Sequence, residues 1–112
     1  DEDIEMDGKD NDAVHYVVYD GDTPVGTARL RITDGVGKPE RVAVRNSHRG
    51  EGIGSVLMEH IETEAREQGC SLLRLHAQTA VRPFYRERGY EQTSGEFLEA
   101  DIPHVEMEKR LR

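Results

Sequence analysis

One hundred and twelve residues make one domain with one core, and no apolar run approaches the roughly 18 residues that a membrane helix needs. The net charge of -8 argues against a nucleic-acid backbone as the main partner. A single cysteine, Cys70, with no CxxC or Cys/His cluster beside it, fits a reducing compartment, so a cytoplasmic location is expected, with Cys70 a small buried hydrophobe.

The charge sits mostly at one end. Residues 1–12 hold seven acids against Lys9, a net of -6, while the remaining residues carry a net of only -2. This stretch shows no amphipathic period and reads as an acidic connector, leaving 13–112 as the folded domain. Residues 13–19 (AVHYVVY) are rich in β-formers, a turn cluster follows at 20–24 (DGDTP), and 25–32 (VGTARLRI) alternates apolar and polar, which predicts an antiparallel hairpin. A second turn at 34–37 leads to a third strand over 40–44, where simple alternation puts Glu40, Val42 and Val44 on one face and Ala43 on the other.

Ile53, Val56, Leu57, Ile61 and Ala65 then form a helical stripe, and Gly69 supplies the stop. A fourth strand is expected over 71–77 (SLLRLHA) and a second helix over 79–88, with Pro83 tolerated in its first turn and Gly89 ending it. Short strands at 90–92 and 105–109 flank a loop over 93–103. The predicted order is β-β-β-α-β-α-β-β, an α/β (α+β) mixed sheet with one right-handed parallel crossover.

The stretch 45–54 (RNSHRGEGIG) carries most of the chemistry. Glycines at 50, 52 and 54 free the backbone to turn N–H groups on an anion at a helix N-terminus, which predicts a diphosphate cradle; a Gly-rich turn that merely closes a loop is the alternative. A Walker A loop needs a lysine here, and none lies between Lys38 and Lys109. A dinucleotide fingerprint needs Gly-x-Gly-x-x-Gly and an acid after the next strand, which ends instead in His76-Ala77-Gln78.

The pattern Arg49-x-x-Gly52-x-Gly54, set between a strand and a long helix, resembles the Arg/Gln-x-x-Gly-x-Gly/Ala signature of the GNAT superfamily. Residues 78–90 (QTAVRPFYRERGY) are similar to that family's Asn-x5-Phe-Tyr-x3-Gly-Phe segment, with Gln78 for Asn and Tyr90 for Phe. The stretch 75–78 (LHAQ) and the tail 97–107 (FLEADIPHVEM) resemble the ElaA-like branch. The resemblance spans roughly residues 10–110, without the strand and two helices that usually open the domain and wall the acceptor pocket.

The resemblance implies an N-acyltransferase that passes acetyl from acetyl-CoA to an amine by direct attack in a ternary complex. It assigns the pantetheine arm to the backbone of Val42, Ala43 and Val44, and the pyrophosphate to Arg49, Gly50, Glu51, Gly52, Ile53 and Gly54, with Gln78 also on the cofactor. Tyr85 matches the tyrosine that protonates the departing thiolate; packing against Phe84 is its alternative role. Glu40 is the candidate base, acting directly or through water, unless it is an ordinary solvated acid. His104, Glu99 and Asp101 on the late loop are further candidates, and His76 is either a core histidine or a substrate contact. None of the five histidines has ligand spacing, so no metal is expected. The expected partners are an acyl-CoA and an unnamed amine, with no nucleic acid and no membrane, and a homodimer left open. The alternative function is a non-catalytic acyl-CoA-binding regulatory module, which has no need of Tyr85. A helix-mediated interaction domain would lack CoA affinity altogether.

Overall fold

The computed structural model describes residues 2–9 and 13–112. Strands β1 (Glu2–Lys9), β2 (Ala13–Asp20), β3 (Thr23–Thr33) and β4 (Val36–Val44) form an antiparallel meander. Helix α1 (Ile53–Glu67) crosses to β5 (Leu72–Gln78), a 3-10 turn and helix α2 (Arg82–Glu87) follow, and β6 (Glu91–Gln92), β7 (Phe97–Glu99) and β8 (Ile102–Arg110) complete the chain. The sheet runs β1-β2-β3-β4-β5-β8-β6, with β7 also paired to β8. Among the described residues only β4 and β5 pair in parallel, as a crossover through α1 requires.

Three local expectations need correction. Glu2–Lys9, expected within an acidic connector, pair along β2, with Ile4 opposite Val18 and Met6 opposite Tyr16. These two apolar positions alternate with Asp3, Glu5 and Asp7, a strand period hidden under the charge, and a charged edge discourages pairing with other chains. Asp1 and residues 10–12 of that stretch lie outside the described residues. The loop expected over 93–103 contains β7, which turns back into β8 through Ala100 (φ 51°) and Asp101 (φ 62°). Two successive left-handed residues make the tight hairpin that matches strand twist, though Ala-Asp is not its usual sequence.

The third correction bears on the site. Register shifts between Thr27 and Arg29 because β4 bulges at Arg41, whose φ is 55°. Glu40 pairs with Arg29 and Ala43 with Thr27, so Glu40 shares a face with Ala43, and Val42 and Val44 point the other way. An alternation counted without the bulge gives the opposite parity.

The core lies between one face of the sheet and the helices. Val14, Tyr16, Val18, Ala28 and Leu30 from β2 and β3 meet Ile53, Leu57, Met58, Ile61 and Ala65 of α1. Gly26 and Gly37 permit this approach: a β-carbon on Gly26 would stand 2.9 Å from Ile53, and one on Gly37 would stand 2.6 Å from Leu73. Beyond α1, Gly69 (φ 83°) and the Cys70 N–H bond to the Ala65 carbonyl form a left-handed stop, and Cys70 is fully buried. Buried Glu62 joins α1 to the far edge, accepting from the Tyr90 hydroxyl and from Lys109 Nζ, each at 3.0 Å. No helix among the described residues is long and apolar enough to cross a membrane.

Candidate active site

β4 and β5 pair only at Val36 with Leu72 and Gly37 with Leu73, and beyond those residues they part. Two features of β4 account for this. Pro39 has no N–H to offer a neighbour, and the bulge at Arg41 adds twist just where the strands separate. The result is a wedge that opens toward Val44 on one side and Gln78 on the other. Val42 and Val44 are half-buried against the core, Ala43 is exposed on the opposite face, and Gln78 ends β5 exposed at the wedge mouth.

The phosphate-cradle stretch sits at the end of β4. Arg45 anchors it, its backbone N–H donating to the Val25 carbonyl and its Nε to that of Pro24. A 3-10 turn, Asn46–His48, follows, and His48 Nε2 donates to Asp20 at 2.8 Å. That hydrogen bond holds the Asp20 carboxyl below the usual carboxylate range. Gly50 and Gly52 both have φ 83°, and a β-carbon on either would meet nothing within 4 Å. These two glycines are therefore required for conformation, and the space beside them is open. Gly52 caps α1 without a side-chain bond, and the first intrahelical bond runs from the Val56 N–H to its carbonyl. The N–H groups of Ile53, Gly54 and Ser55 are thus left pointing outward, with no acid in the first turn. Arg49 is exposed and holds only a long contact to the Val44 carbonyl, 3.4 Å, and Glu51 is exposed. This set fits a pyrophosphate.

Tyr85 lies on the helical face of the sheet. Its ring meets Phe84 and Tyr90 edge to face at 5.0 and 5.6 Å, so the packing role read from the sequence is real. Its hydroxyl has no hydrogen-bond partner among the described residues, and burial raises its pKa above that of an ordinary phenol. Phe84 packs over Gly54, bringing α2 against the first turn of α1.

Glu40 occupies the other face. There the parting strands border a polar cleft of about 590 Å³ whose walls include Arg29, Lys38 and Glu40 on one side and Arg74, His76 and Glu99 on the other. Glu40 Oε1 accepts from Arg29 Nε at 3.0 Å and Nη2 at 2.7 Å. His76 Nδ1 donates to Glu99 Oε1 at 2.8 Å, and Phe97 stands edge-on to the His76 ring at 5.0 Å. Of the other late candidates, His104 is buried behind Phe97, and Asp101 is exposed at the hairpin turn outside the cleft. The wall residues Arg29 and Arg74 went unremarked in the sequence, although the alternation of 25–32 already sets Arg29 and Arg31 on a common polar face. Among the described residues no group of three His, Cys, Asp or Glu side chains is arranged to hold a metal ion.

Comparison with known proteins agrees with this geometry. A family model described as "Acetyltransferase (GNAT) domain" matches residues 2–111. A Bacillus subtilis (strain 168) protein named "Uncharacterized N-acetyltransferase YjcF" is 47% identical over 106 residues, 94% of this chain and 76% of that protein. An acyl-CoA N-acyltransferase from Pseudomonas aeruginosa superposes with a TM-score of 0.79 at 26% identity, over 89% of this chain and 70% of the other. ElaA of Escherichia coli superposes with a TM-score of 0.79 at 28% identity, over 94% and 73%.

Proposed function

The chain belongs to the GNAT acetyltransferase family, and from that premise we propose that it transfers acetyl from acetyl-CoA to a primary amine, with donor and acceptor bound together. The observation that carries the reading is the wedge between β4 and β5, which opens toward the glycine turn at the end of β4 and borders a polar cleft on one face, while the Tyr85 ring packs in the core on the other face of the sheet. Pyrophosphate is held by backbone N–H groups over 50–54, among them the outward ones of Ile53 and Gly54, and by Arg49, while Glu51 contributes its backbone with its carboxylate turned to solvent. The pantetheine arm lies along the parted strand and takes backbone hydrogen bonds at Val42, Ala43 and Val44, with Gln78 across the mouth.

The amine enters from the opposite face, so nucleophile and leaving group approach the thioester carbonyl from different sides of the sheet. This arrangement suits direct attack, since proximity alone removes much of the entropic cost of the bimolecular step. Glu40 anchors the acceptor's ammonium through Oε2, the oxygen that Arg29 leaves open. Tyr85 donates its proton to sulfur as the C–S bond breaks.

Calorimetry with acetyl-CoA tests the cradle, and release of CoA thiol in the presence of spermidine, L-lysine, D-glucosamine or an alanyl peptide tests the transfer. Saturation at a hundred times Kd should stabilise the fold by about 2.7 kcal/mol. Absence of binding would sink the reading, and binding without thiol release for any amine would leave an acyl-CoA-binding module.

A further inference from the structure

Resting on that reading, we propose that His76 is the group that takes the proton from the acceptor amine, and that Glu99 is the positioning residue that fixes its tautomer. A carboxylate only accepts, so the 2.8 Å contact from His76 Nδ1 to Glu99 Oε1 puts the ring proton on Nδ1. The neutral ring then carries its lone pair on Nε2. An imidazole in this tautomer, backed by a carboxylate, has the arrangement that general bases use.

The pair is held from three directions. Phe97 stands edge-on to His76 with 74° between the planes, and its other side stacks on His104 at 6.2 Å and 22°. His104 Nδ1 donates to the Ile102 carbonyl at 2.7 Å, and its Nε2 lies 3.6 Å from Glu99 Oε2, an ion pair when that ring is protonated. The β7–β8 turn that delivers Glu99 uses two non-glycine residues at positive φ, Ala100 and Asp101, a conformation that costs on the order of 1 kcal/mol per residue. About half of the His76 side chain is open, 47% exposed, and it borders the cleft.

Glu40 is the weaker claimant for the proton. Arg29 holds it as an ion pair through Oε1, and a proton taken up on Oε2 would cancel the charge that Arg29 pairs with. The charged groups around His76 are Arg74 on its own strand, Glu106 and His104 on β8, Glu99 on β7, Lys38, Glu40 and Arg41 on β4, and Arg29 on β3. Arg74 is tied to Glu108 at 2.6 Å and lies 3.9 Å from Glu106, the residue across the ladder from His76, and among the described residues Glu99 is the charged group hydrogen-bonded to the ring.

The step balances as follows. His76 Nε2 takes one proton from the ammonium, and the freed nitrogen lone pair forms the C–N bond to the thioester carbon as the C=O pair moves to oxygen. Collapse breaks the C–S bond, and sulfur takes the Tyr85 proton. The second proton lost from nitrogen restores Tyr85, and the His76 imidazolium releases its proton to solvent. One acetyl-CoA and one ammonium give one amide, one thiol and one proton.

Two measurements test the assignment. In the ¹⁵N spectrum of histidine-labelled protein, neutral His76 should be the Nδ1–H tautomer, and Glu99→Gln should admit the other tautomer. A wild-type ring protonated at Nε2 would overturn the proposal. In the thiol-release assay with the fastest amine of the panel above, His76→Gln should lower kcat by on the order of 10²-fold to 10⁴-fold with acetyl-CoA affinity unchanged. It should also abolish the acidic limb of the kcat/KM profile. Glu99→Gln should lower kcat by less than His76→Gln does, since the ring remains and only its fixed orientation is lost. Unchanged turnover in His76→Gln would overturn the His76 assignment and leave the acyltransferase reading standing. Wild-type protein that binds acetyl-CoA and acetylates no amine would overturn both.

Discussion

Phe84 lies across Gly54 so closely that a β-carbon at position 54 would stand 3.1 Å from the ring's Cζ. The guanidinium of Arg88 covers the ring from 3.9 Å, so Phe84 has little room to yield. Helix α2, which carries Tyr85, is thereby seated on the first turn of α1, which carries the anion cradle. Gly54→Leu should force the helices apart and cost about 1–3 kcal/mol, the usual range for overpacking. In the double variant with Phe84→Ala the total cost should fall below the sum of the two single costs, because truncating the ring removes the clash that leucine makes. Chemical denaturation of the four proteins checks this, and simple additivity would mean that the contact carries no strain.

Gly52 makes a different demand. With φ 83° and open space around it, the position penalises side chains through backbone conformation alone. Asn and Asp both tolerate the left-handed region, so Gly52→Asn and Gly52→Asp should fold with similar stability. They differ by one negative charge beside the outward N–H groups. The Asp variant should therefore lose acetyl-CoA affinity well beyond the Asn variant, with the gap narrowing as salt screens the exposed charge. Titration calorimetry at low and high ionic strength reads this directly, and equal affinities would place the pyrophosphate elsewhere.

Much of this was legible before any coordinates. Gly52 and Gly69 bracket α1, and the helix runs between them. Strands β4 and β5 followed from apolar alternation, and the turn that opens α1 from its glycines. What escaped was local: Arg41, a non-glycine residue at φ 55°, inverts the parity of β4 and moves Glu40 to the opposite face from Val42. The Ala100-Asp101 turn lacks the glycine or asparagine that advertises such a hairpin, so β7 was read as loop and the Glu99–His76 contact stayed hidden. In β1 the alternation of Ile4 and Met6 was outweighed by the count of acids around them.

Tyr16 offers a test of the core away from the site. Its ring is 4% exposed, and its hydroxyl is buried with no hydrogen-bond partner among the described residues. Burial, reinforced by the nearby charges of Glu64 and Glu67, pushes its pKa up to about 12. A phenol whose pKa is higher in the folded state contributes stability that is fully present below its unfolded value near 10 and is lost as pH rises toward 12. Tyr16→Phe should leave stability at pH 7 unchanged or raise it by about 1 kcal/mol, since an unpartnered polar group is removed. It should also flatten the alkaline decline between those pH values. Melting curves from pH 7 to pH 11 check both, and a marked loss of stability at pH 7 would mean that the hydroxyl has a partner.

Tyr85 is where packing and chemistry coincide, and substitution can separate them. The ring is held edge to face by Phe84 and Tyr90, and phenylalanine preserves both contacts. What it removes is a hydroxyl with a pKa raised by burial and with no hydrogen-bond partner among the described residues. Negative charge develops on sulfur as the tetrahedral intermediate collapses, and a phenol in reach can stabilise that charge and supply the proton. Tyr85→Phe should therefore leave the melting temperature and the acetyl-CoA Kd close to wild type and lower kcat by on the order of 10²-fold to 10⁴-fold. The loss should shrink with an acyl donor whose thiol has a lower pKa, because a better leaving group needs less help. If kcat held with acetyl-CoA while chemistry limited turnover, Tyr85 would be a packing residue only.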